Sequence, residues 1–439
     1  MALNETHDPK RRSWVASANR ADTDFPIQNL PFGVFSHDAS DHLRIGVAIG
    51  DQVLDLAVAQ ELRLLPAAIT AQVVRQSSLN ALFSLDREVV TALRKCLSDL
   101  LDESGLDGRA RQHADQLLHD LSLCRMHRPM ASANYTDFYA GIHHARAAGA
   151  QLTPEDPLPL NYKWVPIAYH GRASSIQASD VPVYRPHGQI PPAEHGAPPG
   201  FGRCERLDFE LEMGLYIAQG NTQGRPISIG AAGEHIAGMC LLNDWSARDL
   251  QRWEMFPLGP FLSKSFATTV SPWVVTTEAL EPFRVAAMAR PEGDPAPLPY
   301  LFNGWDQQSG GVDVGLSVWL STERMRAQAV AAEKILTSNA RHLYWTPAQM
   351  IAHHTINGCN LMPGDLLGTG TISGPGDDEL GSLLELTVGG SRPIRLPSGE
   401  TRTFLQDGDE VTLRGRCEKA GFVPIGFGAC TGRIFAHEL

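Results

Sequence analysis

A mainly β fold is what this sequence predicts, and three features predict it. Short runs with alternating or β-branched residues recur along the chain. Gly- and Pro-rich stretches such as 182–202 and 291–299 punctuate them, and helical spacing is confined to few segments. A chain of 439 residues also exceeds one ordinary core, so two domains are expected.

Taken in order, residues 1–25 are polar and read as an extended arm. Short β-type runs follow at 32–35 and 43–56, the second divided by a Gly50-Asp51 turn into strands 43–49 and 53–56. Over 86–101 the sequence DREVVTALRKCLSDLL places apolar residues at helical spacing, and 109–121 repeats that character. Residues 1–125 therefore read as a small β-rich domain with helices, and 126–439 as a larger one. From about 130 the texture is of many short strands with turns between them, as in a sandwich, roll or barrel. An Asp407-Gly408 turn leads into a strand over 410–415, and 422–435 reads as further short strands. The sequence holds no repeat of fixed period and no low-complexity tract.

Composition narrows the function. Hydrophobic residues make up 43% and charged residues 20%, as in ordinary globular proteins. The net charge of −12 excludes a broad basic face for nucleic acid, yet a local cation cluster can still hold an anionic small molecule. The seven cysteines form no C-x-x-C pair, which argues against a disulfide framework and structural zinc. No apolar run approaches the roughly 20 residues needed to span a membrane, and the first residues lack the apolar stretch of a signal peptide. A cytoplasmic protein is expected.

The segment 207–215, LDFELEMGL, alternates apolar residues with Asp208, Glu210 and Glu212. In one strand these carboxylates share a face, about 7 Å between neighbours, where they repel unless solvent, a proton or a cation intervenes. A solvated acidic edge is the plain alternative. Asp137, between aromatics in Tyr135-Thr-Asp-Phe-Tyr139, and Asp244, after the apolar run 236–242, add two acids in costly surroundings. Oxygen ligands with no nearby cysteine suit Ca²⁺ or Mg²⁺ better than zinc. A helical reading from Asp244 onward puts Asp244, Arg248, Gln251 and Met255 on one face, as oxyanion-binding groups or as a plain surface ion pair. Lys264 lies in a nearly uncharged stretch, where a snorkelling surface chain is the simpler expectation.

The histidines include the adjacent pairs His143-His144 and His353-His354, each able to give one base or ligand to a site. No H-E-x-x-H zinc motif or G-x-S-x-G elbow is present. The glycines of 368–374 (GTGTISG) have the wrong spacing for a dinucleotide loop and read as a tight turn against a ligand.

Together, several motifs resemble the fumarylacetoacetate hydrolase family. They are Tyr135-Thr-Asp-Phe-Tyr139, Tyr169-His-Gly-Arg-Ala-Ser-Ser175, Arg206-Leu-Asp-Phe-Glu-Leu-Glu-Met213, Asn243-Asp-Trp-Ser-Ala-Arg-Asp249, the stretch 257–266 (PLGPFLSKSF), Asn357-Gly-Cys-Asn360, Gly370-Thr-Ile-Ser-Gly-Pro375 and the stretch 404–411 (FLQDGDEV). The likeness spans nearly the whole chain. It implies a small SH3-like N-terminal barrel and a C-terminal β-roll carrying the active site, in a homodimer. It implies metal-dependent hydrolysis of a carbon–carbon bond in a β-diketone dicarboxylate, 4-fumarylacetoacetate, at the end of tyrosine and phenylalanine degradation.

By this resemblance Asp137, Glu210, Glu212 and Asp244 match calcium ligands, and Asp244, Lys264 and Thr268 a magnesium site. His144 matches the general base and Glu385 the carboxylate that orients it. Arg248, Gln251 and Lys264 match polar groups around the reacting carbonyl, and Tyr139, Tyr169, Gln251 and Thr371 substrate contacts. Two positions depart from animal members: Thr153 stands where they have an arginine, and Met255 where they have a tyrosine, both at substrate-contacting places. Acylpyruvate hydrolases and hydroxy-dienedioate isomerases or decarboxylases share the fold, but the long N-terminal part and the 135–139 motif favour the first branch. A metal-binding homologue without catalysis would have no need of both His144 and Glu385.

Overall fold

The structure is a computed structural model and describes residues 3–37, 42–105, 108–151, 155–192, 194 and 196–437. It is mainly β. The first residues do not form a free arm. The 3₁₀ turn Glu5–His7 packs onto the helix Arg87–Leu101, the turn Ala16–Asn19 packs against the Gly50-Asp51 turn, and Thr6, His7 and Val15 are buried. Several polar groups of this segment face inward. Buried Arg94 donates to Thr6 Oγ1 at 3.2 Å and to the carbonyls of Gln28 and Asn29, both at 2.5 Å. Asn4 donates to Glu278 at 2.7 Å.

The Gly50-Asp51 turn forms as expected, joining Arg44–Ile49 to Gln52–Asp55 with Ile49 opposite Gln52. Gly50 has φ +60, a conformation a glycine adopts without steric cost. The helical expectation over 109–121 is met by two single turns, Arg109–Gln112 and Ala114–Leu117, before the strand Leu118–Asp120.

Two sheets carry the rest. In a thirteen-stranded sheet the main order is Leu118–Asp120, Gln52–Asp55, Arg44–Ile49, Phe32–His37, Trp273–Thr276, Ile236–Asp244, Leu211–Ile217, Leu366–Gly368, Tyr135–Phe138 and Ala168–Gly171. The N-terminal strands thus join the C-terminal ones where Phe32 pairs with Val274. A five-stranded sheet, built on Gly315–Ser321, Glu410–Cys417 and Ile425–Phe435, packs across it. Among the described residues neither sheet closes into a barrel.

The central strand Ile236–Asp244 shows why both faces are apolar. Met239 and Leu241 pack toward the five-stranded sheet, while Cys240 and Leu242 pack toward the N-terminal core. Alternate residues of a strand serve opposite faces, so a strand covered on both sides reads as a continuous apolar run.

Candidate active site

Strand register assembles the acidic groups. Asp137 pairs with Gly368 on one side and Tyr169 on the other. Asp244, the last residue of its strand, pairs with Thr268, and Glu212 lies on the next strand opposite Leu242. Carboxylate oxygens of Asp137, Glu212 and Asp244 fall within 4.8 Å of one another, all three residues buried. The peptide N–H of Gly370 donates to both Glu212 (3.0 Å) and Asp137 (3.2 Å). Gly370 has φ +75, and a Cβ on Gly368 would come within 2.4 Å of Asp137 Oδ1. The glycine turn at 368–374 is therefore shaped around carboxylates.

Burial pushes the Asp137 and Glu212 carboxyls well above the ordinary range, and the neighbouring Asp244 charge adds to this. Oε1 of Glu212 is buried with no hydrogen-bond partner. Three buried carboxylates with an unused oxygen fit a hard divalent cation bound through oxygen.

Asp244 also accepts from Tyr169 Oη (2.5 Å) and Thr268 Oγ1 (2.8 Å), and Lys264 Nζ lies 2.9 Å from it. Lys264 is buried rather than snorkelling, and its ammonium bridges Asp244 to Glu210. Burial works against that charge, but Asp244 and Glu210 outweigh it and hold the lysine pKa above its usual value. Glu210 faces two cations, Lys264 and Arg248 (Nη1 at 2.6 Å); burial opposes its charge, yet these neighbours drive its pKa far below the usual range. It borders the three-carboxylate group through Lys264.

Asp208 and Glu210, expected to share a face with Glu212, hold the same cation, Arg248, and Lys264 joins Glu210 to Asp244 beside Glu212. Strand pairing is nevertheless interrupted between Leu207–Asp208 and Leu211–Ile217. Asp208 accepts from Arg248 Nε (3.0 Å) and from the peptide N–H groups of Leu383 and Leu384. The helical reading from Asp244 is corrected. The helix is Arg248–Glu254, after a two-residue strand, and Arg248 pairs with acids of another strand instead of with Asp244. Gln251 accepts from Arg248 Nη1 at 3.2 Å, and half-buried Met255 ends the helix.

On the helix Ile142–Ala150, buried His144 Nδ1 lies 2.8 Å from Glu385 Oε2. This bond leaves Nε2 for proton transfer. Glu385 is fixed by Ser373 Oγ (2.8 Å), Ser382 Oγ (2.7 Å) and the peptide N–H of Gly381 (3.3 Å). Burial alone would raise its pKa, but His144 and the two serines hold it below the ordinary value. His143 turns the other way, its ring against His342. Tyr139 meets His144 edge to face at 5.8 Å, and burial, with the charges of Glu210 and Glu385, raises its pKa. The Thr371 carbonyl lies 2.3 Å from where a Gly141 Cβ would sit, at the start of the His144 helix. Thr153 lies outside the described residues.

Sequence reasoning left Asp208 without a role and missed Ser373, Ser382 and Tyr162, whose hydroxyl donates to the Tyr139 carbonyl at 2.7 Å. Ser382-Leu-Leu-Glu385 is a helix-start signature that could have located the short helix Leu383–Leu386. A second group of potential ligands, His37, Asp55 and His119, is differently built. Arg44 donates to Asp55 at 2.7 Å, Asp55 caps the helix Leu56–Glu61, and the imidazole planes stack within 19° instead of converging on an ion. Among the described residues no helix is long and apolar enough to cross a membrane.

Comparison with known proteins adds an independent line. Residues 133–435 match a family model described as fumarylacetoacetate (FAA) hydrolase C-terminal, and residues 28–129 match fumarylacetoacetase N-terminal. The chain is 46% identical over 420 residues to fumarylacetoacetase of Bos taurus, covering 94% of this chain and 96% of the other. The Arabidopsis thaliana fumarylacetoacetase is 46% identical over 418 residues, with the same coverage. A solved fumarylacetoacetate hydrolase from Exiguobacterium antarcticum superposes with a TM-score of 0.50 at 16% identity, covering 93% of this chain and all of that one, a likeness of fold.

Proposed function

Because the chain belongs to the fumarylacetoacetate hydrolase family, we propose that it hydrolyses 4-fumarylacetoacetate to fumarate and acetoacetate, closing tyrosine and phenylalanine degradation. The observation that carries this reading is the pairing of a fixed base, His144–Glu385, with a buried three-carboxylate group in one site.

Breaking a carbon–carbon bond expels a carbanion, tolerable only when a neighbouring carbonyl delocalises it as an enolate. Ca²⁺ or Mg²⁺ held by Asp137, Glu212 and Asp244, with Glu210 and Thr268 beside them, would supply a Lewis acid for the diketone oxygens. His144, its tautomer set by Glu385, removes a proton from the attacking water, and that proton goes back to the enolate carbon as acetoacetate forms. Arg248, Gln251 and Lys264 stabilise the tetrahedral oxyanion on the other carbonyl. Tyr139, Tyr169 and Thr371 line the substrate, and Met255 and Thr153 alter its grip.

The finer architecture is part of the same reading. The strand order 118–120, 52–55, 44–49, 32–37, 124–127, with the 3₁₀ turn Leu121–Leu123 between its two ends, supports an SH3-like arrangement of the 1–125 part, not closed by strand pairing among the described residues and with its last strand running two residues past that bound. Residues 126–439 then form the β-roll. Exposed Phe256, Leu258 and Phe261, on the loop after the Arg248 helix, support a homodimer of this cytoplasmic enzyme. The test is to incubate the purified chain with fumarylacetoacetate and Ca²⁺ or Mg²⁺ and follow loss of diketone absorbance. Metal-dependent loss is expected. No loss with either ion, or faster turnover of an acylpyruvate, would overturn the reading.

A further inference from the structure

We propose that Asp208 is a positioning residue that aims the Arg248 guanidinium at the reacting carbonyl and ties it to the helix carrying Glu385. The proposal rests on the function proposed above. Asp208 is fully buried, and each oxygen accepts from two fixed donors. Oδ1 receives the peptide N–H groups of Leu383 (2.8 Å) and Phe209 (2.9 Å). Oδ2 receives Leu384 N–H (3.0 Å) and Arg248 Nε (3.0 Å). Leu383 and Leu384 are the first two residues of the helix Leu383–Leu386, so one carboxylate fixes both that helix and the arginine.

The guanidinium is planar, so holding two of its nitrogens sets the direction of the third. Asp208 holds Nε, while Glu210 and Gln251 hold Nη1. Nη2 remains, buried and without a hydrogen-bond partner. An orphaned buried donor is costly unless another state of the protein uses it. A substrate oxyanion fills that need, because its charge develops only during reaction. Glu210 could not fix the arginine alone, since it is shared with Lys264 and meets the guanidinium at one nitrogen.

Asp208→Asn keeps the shape but turns one acceptor into a donor facing N–H groups. In the folded variant, kcat should fall about 10²-fold, the usual cost of losing one oxyanion donor. KM should stay within about threefold, because the contact forms in the transition state. The acidic limb of the kcat–pH profile should not move, because His144–Glu385 remains. Arg248→Lys should lose a similar factor, and the double variant should be little worse than Arg248→Lys alone. Independently of substrate, the Arg248 Nε–H resonance should be exchange-protected in the natural chain and lose protection in Asp208→Asn.

An unchanged kcat, additive losses, or a displaced pH profile with full maximal kcat would each overturn the proposal. So would an Nε–H signal equally protected in both chains. If Asp208→Asn gives no cooperative melt, Arg248→Lys decides: lysine keeps the charge but not the planar fork, so wild-type kcat there overturns it. A natural chain inactive on fumarylacetoacetate, yet with a protected Nε–H that Asp208→Asn exposes, would count against the function and in favour of the positioning.

Discussion

Glu212 shares its chamber with Asp137 and Asp244 and leaves one oxygen without a partner. Three carboxyls so placed cannot ionise together without repulsion, and burial opposes each charge, so the metal-free fold bears a cost. Replacing Glu212 by glutamine removes one ionisable group at nearly constant volume. The metal-free variant should therefore melt higher than the natural chain, by roughly 1–3 °C. It should also lose most of the melting increase that Ca²⁺ or Mg²⁺ gives the natural chain, because only binding to the folded form stabilises it. Scanning calorimetry with and without the ion checks both; an unchanged ion-induced shift would remove Glu212 from the ligand set. His144 invites a sharper comparison, with His143 beside it as an internal control. His144→Ala should lose about 10²–10⁴ in kcat, and His143→Ala little. Adding Glu385→Gln to His144→Ala should change almost nothing further, because Glu385 acts through the imidazole. Steady-state kinetics on these variants, with Glu385→Gln alone included, decides it, and strictly additive losses would mean two separate roles. At this scale the sequence was readable where a residue type has few affordable uses, as for Asp137 among aromatics. It was misleading for Lys264, because the acids that neutralise it lie 20 and 54 positions away.

Among the elements, the loop after the Arg248 helix depends on one side chain. Glu254 accepts from the peptide N–H groups of Phe261 (2.7 Å), Leu262 (3.1 Å) and Ser263 (2.8 Å) and from Ser263 Oγ (2.6 Å). Those residues lead directly into Lys264, so Glu254 sets where the site's lysine begins. Glu254→Ala should cost about 1–3 kcal/mol in stability by leaving donors unmet. It should also lower kcat roughly tenfold through a less ordered Lys264, an effect of displacement rather than lost contact. Limited proteolysis should cut the variant first within 255–263, and an unchanged cleavage order would show that the loop is held by something else. Strand and turn positions near the N-terminus could be read from alternation and the Gly50-Asp51 turn, since both are local signals. The interruption after Asp208 could not. There Asp208 accepts peptide N–H groups from a helix 175 residues further on, a contact with no trace in the local pattern.

The whole molecule is more continuous than its composition implies. Phe32, Val34, Ile45, Val47, Leu93 and Leu97 share one core with Tyr216, Cys240, Leu242, Val270, Val274 and Leu366. The division expected near residue 125 marks a change of texture, but the apolar faces across it belong together. The unbroken apolar run 236–242 reveals that both faces are covered, though not that residues from the first hundred cover one of them. Further ties cross the same boundary: Asn29 donates to the Gly426 carbonyl at 2.7 Å, and Arg416 to that of Thr23 at 3.1 Å. Uncovering the six C-terminal side chains of this core would forfeit about 1.5–3 kcal/mol for each one comparable to leucine or valine. That sum rivals the about 5–15 kcal/mol that holds a whole domain. The full chain should accordingly melt in one calorimetric transition. A fragment of residues 126–439 should keep its catalytic side chains yet bind a hydrophobic dye strongly and aggregate at concentrations where the full chain stays soluble. Adding the separate 1–125 segment during refolding should restore solubility, because it supplies the missing face. A fragment that is soluble, dye-free and as heat-resistant as the full chain would show that the shared core is not what holds the larger part together.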